Sequence, residues 1–573
     1  MTDRAQELES RHAWQRNDWL GVVVFGAAAL CATLWLLDLG RGLTFFFDEW
    51  NLVEDAGTTG YLHNVLQPHN GHPLMIPFSL YELLFHTVGL RHYWPYQLMI
   101  VVFDVGCGLL LFLLLRRKVH PLIAGAGGAV LMMLGPAWQD LLWPFQIAFL
   151  GSVAGGLGAL VLLDRDSRRA DIGASVCLVL GLACSGAGLP FVAGVVVELA
   201  WRRRSWRRLW IPAVPLALFV VWYETVGKSG LTSSISPSSI ARSIGSDTAT
   251  TVAALVGRNM TVGYVLAAVF AVAIIVAVVR SPGRAARLAM GTSGLLAFWL
   301  LTVLARGVSQ DSASRYLYPA AALVLVAAGE LPTLITMNHR GRHATGTPGW
   351  TARAGTIVAV GVVAYTAVAI WWNAGVLISS ATNLNHISAQ VDAELEGVTL
   401  AGHALPATFQ PDGRFMPQVT VGPYLQSVAA FGSPVPSSPH VASPLGAIVD
   451  AMLLRGHPME VSPAPNAATS GQGCLRSPVD QQSPIVTFTL PQQGSVVTAP
   501  QGATIALRAR SFSSTFPEEP FATVAAGHAV HVTWSPAPTR VHWTLEITAV
   551  PPAPAGSVVA VCPNAEGAAA SST

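Results

Sequence analysis

Charge is scarce in this chain. Asp, Glu, Lys and Arg make up only 11% of its 573 residues, whereas about 25% is usual for soluble globular proteins. Hydrophobic residues make up 52%. This balance excludes an ordinary soluble enzyme and predicts a protein that crosses the membrane many times. The formal net charge is only +2, and we therefore expect no nucleic-acid partner.

Cysteine is also scarce, with six residues in the whole chain. The cysteines have none of the short paired spacings that are typical of metal sites. Four of them lie in apolar runs, where Cys usually serves as a small apolar residue. The other two, Cys474 and Cys562, flank a β-rich region near the C-terminus. The cysteine pattern therefore favours no thiolate metal site.

Long apolar runs, in contrast, are frequent, and eleven of them have the composition of membrane spans. They cover residues 19–38, 94–115, 119–136, 145–163, 172–184, 189–201, 209–226, 262–279, 288–305, 318–335 and 356–377. The first run has no small-residue cleavage site after it, so we expect an uncleaved span rather than a signal peptide. The fifth and sixth runs share the breaker "CSGAGLP", which predicts a helical hairpin. Residues 19–377 are thus predicted to form a domain of about eleven transmembrane helices.

Basic residues cluster in alternate loops between these runs, and this pattern predicts the orientation in the cell (plasma) membrane. It places residues 1–18 in the cytoplasm and the loop 39–93 outside. The segment 72–90 is apolar but is interrupted by polar residues and Pro77. We expect it to be a helix lying at the outer interface. A full span there would invert the orientation of everything that follows.

The sequence changes character beyond residue 377, where Pro, Ser and Gly become frequent. Six short runs with alternating polarity follow at residues 484–490, 495–499, 503–510, 529–535, 541–550 and 556–563. Such runs between Pro and Gly turns predict an antiparallel β-sandwich-like domain over residues 378–573. The parity of the spans places this domain outside the cytoplasm, where Cys474 and Cys562 are predicted to form a disulfide.

Two adjacent acids, Asp48 and Glu49, open the predicted external loop within the stretch "LTFFFDEWNLVEDAG". Acids this close to a membrane span are costly unless they contact water, a cation or a substrate. The stretch "LQPHNGHPL" follows and contains His72 and Pro73. In this layout the chain resembles the C-type (GT-C) integral-membrane glycosyltransferases. In that superfamily an acidic pair opens the first external loop, and a His-Pro or similar segment often starts a juxtamembrane helix. The resemblance covers about residues 15–377.

The resemblance implies transfer of a sugar from a polyprenyl-phosphate donor. Such a reaction needs a base that takes the proton of the acceptor hydroxyl, and Asp48 or Glu49 is implied in that role. The alternative is that the two acids only begin a helix, where negative charge is favourable. We expect Glu54 and Asp55 to lie on a solvated face of such a helix.

The histidines of the same loop, His69 and His72, are candidates for contact with a phosphate oxygen, a sugar hydroxyl or a metal ion. A spacing of three suits a metal site on a helix, but Pro68 and Gly71 favour a loop. The sequence does not identify a cofactor. A divalent cation held by Asp48 and His72 is the alternative that the residues leave open.

A further outer loop, "RGVSQDSASRYLYP", ends in an Arg-Tyr pair just before a span. A basic residue at this place faces the lipid phosphate in the superfamily, so the resemblance implies Arg315 as the phosphate ligand and Tyr316 beside it. The guanidinium group suits bidentate phosphate contact. Arg306 is a second candidate. Tyr316 and Tyr318 can also be aromatic residues of the membrane interface, and for Tyr318 we expect that role.

The turn "GPAWQDLLWPFQ" contains Asp140, at the place where the superfamily often has a second acid. The alternative is a plain turn whose tryptophans anchor the interface. Asp104 lies deep in the second span, where an acid costs roughly 2.5–3.5 kcal/mol. We expect Asp104 to have a buried partner and to serve packing rather than catalysis.

These expectations point to an inverting glycosyltransferase on the outer face of the membrane. It would move a monosaccharide from a polyprenyl-phosphate donor to a glycan or glycolipid of the cell envelope, and the β-domain would help to bind that acceptor. Two alternatives stay open. One is a polymerase or ligase for lipid-linked oligosaccharides, and the other is a lipid or sugar transporter, although the chain has no visible inverted repeat.

Overall fold

The computed structural model describes residues 2–165, 167–227, 236–307, 313–336, 348–435, 444–464, 473–482, 484–534 and 540–563. The chain forms two compact units. The first, called the helical unit below, comprises Met1–Arg41, Gly60–Thr87 and Trp94–Leu384. The second, called the mixed unit, comprises Gly42–Thr59, Val88–Tyr93 and Asn385–Thr573.

The described residues form eighteen α-helices. In chain order they are α1 (Thr2–Leu39), α2 (Glu49–Thr58), α3 (Tyr61–Leu66), α4 (Met75–Thr87), α5 (Trp94–Leu115), α6 (Pro121–Met132), α7 (Trp138–Leu142), α8 (Ile147–Leu163), α9 (Arg168–Cys184), α10 (Leu189–Trp201), α11 (Trp210–Thr225), α12 (Pro237–Val256), α13 (Met260–Arg280), α14 (Ala286–Arg306), α15 (Ser314–Thr336), α16 (Pro348–Ala401), α17 (Val421–Phe431) and α18 (Gly446–Gly456). Each of the eleven apolar runs overlaps one of these helices.

Seven helical segments among the described residues are long and apolar enough to cross a membrane. They are Trp19–Leu39, Trp94–Leu115, Pro121–Leu142, Pro144–Leu163, Met260–Arg280, Ala286–Arg306 and Gly355–Ala404. The chain is therefore a mostly helical, multi-pass membrane protein by the length and composition of its helices. Helices α9, α10 and α11 have 17, 13 and 16 residues, fewer than the roughly 20 that a full span needs. The count of eleven spans and the orientation stay predictions.

Residues 227–261, which separate the seventh and eighth apolar runs and which the charge pattern of the loops predicts to be an outer loop, contain α12, a helix of 20 residues. The hydroxyl of Ser236 accepts a hydrogen bond from the N–H of Ser239 and caps its first turn, and Gly257 ends it with φ of +62°. Helix α12 packs against α13, α14 and α15. Its polar sequence lacks an apolar run, which is why hydropathy alone did not reveal it.

Buried charges near the start of α14 are paired with one another. Arg287 is 4% exposed, and its Nε lies 2.7 Å from Oε2 of Glu198. Its Nη2 lies 2.8 Å from Oδ1 of Asp164. We call Arg287, Glu198 and Asp164 the ion-pair cluster. Because a buried charge is tolerated when it is paired, this cluster ties α8, α10 and α14 together.

Eleven β-strands occur among the described residues. They are β1 (Pro68–His69), β2 (His72–Pro73), β3 (Glu460–Pro463), β4 (Leu475–Pro478), β5 (Ile485–Thr489), β6 (Ser495–Thr498), β7 (Thr504–Arg510), β8 (Ala522–Val524), β9 (Ala529–Thr533), β10 (Thr544–Val550) and β11 (Val558–Pro563). In the mixed unit they form two antiparallel sheets with the orders β5-β10-β7-β8 and β3-β9-β6-β11-β4.

All six alternating runs of the C-terminal region contain a strand, so the prediction of an antiparallel sheet region is confirmed. The three strands that the sequence did not predict, β3, β4 and β8, all lie at sheet edges. Edge strands are short and have fewer buried positions, which leaves a weak alternation signal. Cys474 and Cys562 form a disulfide in the structure. It joins the neighbouring strands β4 and β11, in which Leu475 pairs with Val561.

Helix α2 and its preceding acids belong to the mixed unit. Its Trp50 is fully buried and lies edge-on to Tyr424 of α17, with 5.8 Å between the ring centres. A Cβ on Gly57 would come within 2.4 Å of the hydroxyl of Ser427, so only glycine allows α2 to approach α17 this closely. The predicted loop 39–93 is therefore divided between the two units instead of forming one part of the membrane domain.

Candidate functional site

The histidines of the first loop lie on a short β-hairpin. Strands β1 and β2 pair so that His69 stands opposite His72. The turn between them is Asn70-Gly71, with φ of +50° and +80°. Two positive φ angles in a two-residue loop are typical of the type I′ turn, which favours the Asn-Gly sequence. We expected the segment with His69 and His72 to be a loop. Its Asn-Gly pair is the sequence signal for a β-hairpin.

His72 contacts Arg306, the last residue of α14. Nη2 of Arg306 lies 3.1 Å from Nε2 of His72 and 3.3 Å from the carbonyl oxygen of Asn70. Burial, followed by the positive charges of Arg306, His69 and Arg315, lowers the pKa of His72 to about 4, so the imidazole is neutral at physiological pH. Since a guanidinium only donates, Nε2 of His72 accepts and its Nδ1 bears the proton.

Gly186, in the breaker between α9 and α10, allows this arrangement. A Cβ at this position would lie 2.8 Å from Nδ1 of His72, closer than two such atoms approach. The glycine therefore brings the backbone between α9 and α10 against the imidazole ring. From the sequence, "CSGAGLP" was expected only to break a helix. The close approach of Gly186 to His72 joins segments that are far apart in the chain, and residue spacing does not reveal such a contact.

Arg315 lies in the first turn of α15, which is held by Pro136 and by Gln139 in the first turn of α7. Its backbone N–H donates to Oε1 of Gln139 at 3.1 Å. The neighbouring Ser314 hydroxyl donates to the carbonyl of Pro136 at 2.7 Å and accepts from the N–H of Gln139 at 3.2 Å. The guanidinium of Arg315 acts electrostatically on His72. The structure thus brings together His72, Arg306 and Arg315, which we call the cation cluster.

Asp140 lies in α7 beside this cluster and is fully buried. Neither of its carboxylate oxygens receives a hydrogen bond from the described part of the chain. Arg315 interacts electrostatically with it. A buried acid without a donor is costly, so an arginine nearby explains why it is tolerated. The plain-turn alternative, with only interfacial tryptophans, does not account for a buried carboxylate.

The two tyrosines after Arg315 are buried in the helical unit. Tyr318 is fully buried, and its hydroxyl donates to Oδ1 of Asp104 at 2.6 Å. The expectation of a buried partner for Asp104 is confirmed, whereas the interfacial role expected for Tyr318 is wrong, because the buried acid requires a donor. Tyr316 is 4% exposed and packs edge-on against Phe149, which positions it behind Arg315.

The acid pair lies in the mixed unit at the start of α2. Asp48 is half-buried and occupies the N-cap position without donating or accepting a side-chain cap hydrogen bond. Phe47, just before it, has φ of +53°, a left-handed conformation that is rare for a bulky residue and is often found at functional sites. A helix therefore does begin at the acid pair, as the alternative predicted. The side chain of Asp48, however, does not cap that helix.

Glu49 differs from its neighbour because it is fully buried. Its Oε2 accepts the N–H of Phe46 at 3.0 Å and the hydroxyl of Tyr93 at 2.8 Å. The bond from Phe46 ties the Glu49 side chain to the backbone of the turn that precedes α2. Glu49 therefore holds the turn that presents Asp48.

Glu54 does not lie on a solvated face, which corrects the expectation from the sequence. It is half-buried, and its Oε1 accepts the N–H of Thr420 at 3.2 Å. Burial raises the pKa of Glu54 to about 7. Asp55 is exposed, as expected. The difference arises because α2 packs on the C-terminal segment, a contact that the local sequence does not reveal.

The proposed metal ligands Asp48 and His72 belong to different units. Among the described residues, no group of three or more His, Cys, Asp or Glu side chains is arranged to hold a metal ion. The requirement for a divalent cation stays an open expectation.

Comparison with protein-family profiles and with curated proteins finds no match. Among solved structures, the chain is similar to the cryo-EM structure of the arabinosyltransferase EmbB from Mycobacterium smegmatis. The sequence identity is 13%, the similarity covers 94% of this chain and 64% of that chain, and the TM-score is 0.30. The chain thus spans about 64% of the length of that protein. A similarity of this degree assigns neither the fold nor the activity.

Proposed function

We propose that this protein is an inverting membrane glycosyltransferase that moves a monosaccharide from a polyprenyl-phosphate donor to a glycan or glycolipid of the cell envelope, on the outer face of the membrane. The observation that carries the proposal is the cation cluster, in which Arg306 at the end of α14 and Arg315 in the first turn of α15 lie with a neutral His72. The acids of the first loop and the resemblance to C-type glycosyltransferases support it as well.

The cation cluster has the chemistry that a phosphate leaving group needs. In the transfer, the bond from the anomeric carbon to the phosphate oxygen breaks and polyprenyl phosphate leaves with its negative charge. Guanidinium groups stabilise such charge through short, directional hydrogen bonds. A neutral His72 adds no positive charge of its own, and its Nε2 accepts from Arg306 and orients that guanidinium. Since the donor lipid is confined to the bilayer, cations at helix ends suit its phosphate.

Asp48 is the base in this proposal. It takes the proton of the acceptor hydroxyl as that oxygen attacks the anomeric carbon and forms the new glycosidic bond. A half-buried carboxylate after a strained Phe47 fits this role better than Glu49, whose Oε2 already accepts two hydrogen bonds. We therefore assign Glu49 to positioning. Asp140 is assigned to orienting Arg315 rather than to proton transfer.

The ligase alternative relies on arginines of a large outer loop, and the structure does not favour it. The expected loop contains α12, and the guanidinium of Arg258 stacks on Trp372, with 3.5 Å to the ring centre. For the transporter alternative, we find no observation that favours it over surface chemistry.

The test uses membranes that contain the protein and radiolabelled polyprenyl-phosphate arabinose or polyprenyl-phosphate mannose as donor. We expect label from one of the two donors to enter a membrane glycan with release of polyprenyl phosphate. Membranes with the Asp48→Asn variant are the control and should show background incorporation. If wild-type membranes incorporate no more label than Asp48→Asn membranes from either donor, the proposal is contradicted for these two sugars and for the pentose and hexose donors that they represent.

A further inference from the structure

The segment 42–47, which leads to Asp48, lies along one face of α16 within the mixed unit. Its first residue, Gly42, has φ of +84°, a left-handed conformation that favours glycine. A Cβ on Gly42 would come within 2.8 Å of the side-chain oxygen of Asn385, a residue of α16. Glycine thus allows both the backbone conformation and the close approach, and the segment contacts α16 from its start.

Thr44 is attached to the same helix by two hydrogen bonds. Its N–H donates to Oγ of Ser388 at 3.2 Å, and both residues are buried. Its hydroxyl donates to the carboxylate of Asp392. Asn385, Ser388 and Asp392 follow one another at spacings of three and four, so they share one side of α16. We call these three residues the polar face of α16.

The carboxylate of Asp392 makes the attachment of Thr44 specific. Its Oδ1 is buried and receives no hydrogen bond from the described part of the chain. Loss of the Thr44 hydroxyl would therefore leave this carboxylate still further from satisfied. Because a buried acceptor without a donor is costly, the bond to Asp392 favours one position of Thr44 on the helix over any other.

The position of Thr44 is passed on to α2 through the two residues that follow it. The carbonyl oxygen of Phe45 accepts from Nε1 of Trp50 at 3.0 Å. The N–H of Phe46 donates to Oε2 of Glu49 at 3.0 Å. The backbone from Thr44 to the first turn of α2 is thus bonded at each step, and a displacement of Thr44 moves the turn between them.

We propose that the polar face of α16 positions Asp48 for proton transfer and that Asp392 is its main positioning residue. The role of Asp48 as the base rests on the function proposed above. A site supported by a helix is held more precisely than one supported by loops, and α16 has 54 residues. A misplacement of about 1 Å, caused far from the chemistry, can lower a rate by about 10²-fold. In this account Asp392 contacts neither substrate and acts through Thr44.

A purely structural role for the polar face predicts a different behaviour. If Thr44 and Asp392 only stabilised the mixed unit, their loss would lower the stability, and protein that stayed folded would keep the wild-type kcat. If they position Asp48, folded protein has a lower kcat. The KM for the donor stays the same in that case, because the cation cluster, which binds its phosphate, belongs to the helical unit.

The experiment compares Thr44→Val, which keeps the shape but removes the hydroxyl, with Thr44→Ser, which keeps the hydroxyl. Thr58→Val, at an exposed position of α2, is the matched control. Two properties of the full-length protein in nanodiscs are measured. One is amide hydrogen exchange of residues 43–50 by mass spectrometry, and the other is kcat and KM with radiolabelled polyprenyl-phosphate arabinose and mannose. We expect Thr44→Val to exchange faster and to lose about tenfold or more in kcat at unchanged KM. Thr44→Ser and Thr58→Val should stay within about twofold of wild type.

A second pair of variants tests the partner on α16. Asp392→Leu removes the acceptor of the Thr44 hydroxyl, whereas Asp392→Asn keeps an oxygen that can accept it. We expect Asp392→Leu to behave like Thr44→Val, and Asp392→Asn to retain most of the wild-type kcat. Since the two residues act through one bond, the double variant of Thr44→Val and Asp392→Leu should lose no more in kcat than either single variant.

The positioning role is overturned if folded Thr44→Val keeps the wild-type kcat, if Thr44→Ser loses as much as Thr44→Val, or if the losses of the two single variants multiply in the double variant. Thermal unfolding identifies the folded variants, and Asp392→Leu replaces Thr44→Val if the latter unfolds. If both unfold, the polar face is structural and the proposal is wrong. Wild-type transfer with unchanged exchange in Thr44→Val refutes the positioning role alone. Faster exchange in Thr44→Val without any wild-type transfer refutes the proposed function, and the hold of α16 on the segment then stands.

Discussion

The two ends of α14 carry arginines with different partners, and Arg287 is buried whereas Arg306 is half-buried. At the first turn, Arg287 forms ion pairs with Glu198 and Asp164. At the last turn, about 28 Å away along the helix axis, Arg306 contacts a neutral imidazole and a carbonyl oxygen. Arg287 and Arg306 thus lie on one helix, but of these two only Arg287 forms ion pairs with carboxylates among the described residues.

This difference separates a structural role from a binding role. Charges that neutralise each other inside the protein contribute to holding helices together and leave little field for a ligand. Positive charges that face neutral groups keep their attraction for an anion. In the mixed unit, Glu49 is buried and accepts two hydrogen bonds, whereas Asp48 is half-buried. Substitution of single residues in the two clusters and in the acid pair tests this separation of structural and binding roles.

The largest effect is expected for Asp48→Asn. The variant keeps the volume of the side chain but loses the base, so transfer should fall by about 10²- to 10⁴-fold, with unchanged thermal unfolding. Initial rates of sugar transfer in nanodiscs measure this. Asp55→Asn, at an exposed acid of the same helix, should retain full activity. Transfer by Asp48→Asn within about twofold of wild type would remove Asp48 as the base.

Removal of Arg287 should destabilise the protein without altering donor affinity. Arg287→Met leaves the buried Glu198 with Arg202 as its remaining partner, at 2.7 Å. We expect the free energy of unfolding to fall by about 3 kcal/mol, the lower end for breaking a buried ion pair. Chemical denaturation in detergent measures this, with the exposed Arg280→Met as control. Unchanged stability would show that the ion-pair cluster does not hold these helices.

A pH dependence should distinguish the two clusters as well. The pKa of His72 is about 4 in the folded protein, against an ordinary value of 6.5. Between these pH values the unfolded chain binds a proton that the folded protein does not. Stability should therefore fall as the pH is lowered from 6.5 to 4, by a total on the order of 3 kcal/mol.

The variant His72→Gln, whose amide oxygen can still accept from Arg306, should lose this part of the pH dependence. Thermal unfolding at a series of pH values measures the effect. The exposed His86, at the end of α4, provides the matched variant His86→Gln, which should follow the wild-type curve. If His72→Gln also follows the wild-type curve, the imidazole is not held neutral by its surroundings.

The sequence was sufficient for the parts of the fold that depend on local pattern. Apolar runs predicted the positions of the membrane helices, and alternating runs predicted six strands of the C-terminal sheets. Helix α12 and the edge strand β8 were missed because neither has a strong apolar pattern. The Asn70-Gly71 turn was missed although its signature was present.

For the candidate site, the sequence selected Asp48, His72 and Arg315 from the layout of the loops. It ranked Arg306 second, because nothing local shows that the end of α14 meets a hairpin far away in the sequence. It also could not separate the buried Glu49 from Asp48, or show that Thr420 covers Glu54. Such distinctions depend on long-range packing, which residue spacing does not encode.

The central claim is that the cation cluster binds the donor phosphate, and equilibrium binding of a polyprenyl-phosphate sugar to purified variants tests it most directly. Arg315→Ala should weaken donor binding at least tenfold with little change in stability, because its half-buried guanidinium forms no part of the ion-pair cluster. Folded Arg287→Met and Asp48→Asn should bind the donor as wild type does. If Arg315→Ala binds the donor normally, or if Arg287→Met weakens binding as much, the cation cluster is not the phosphate site.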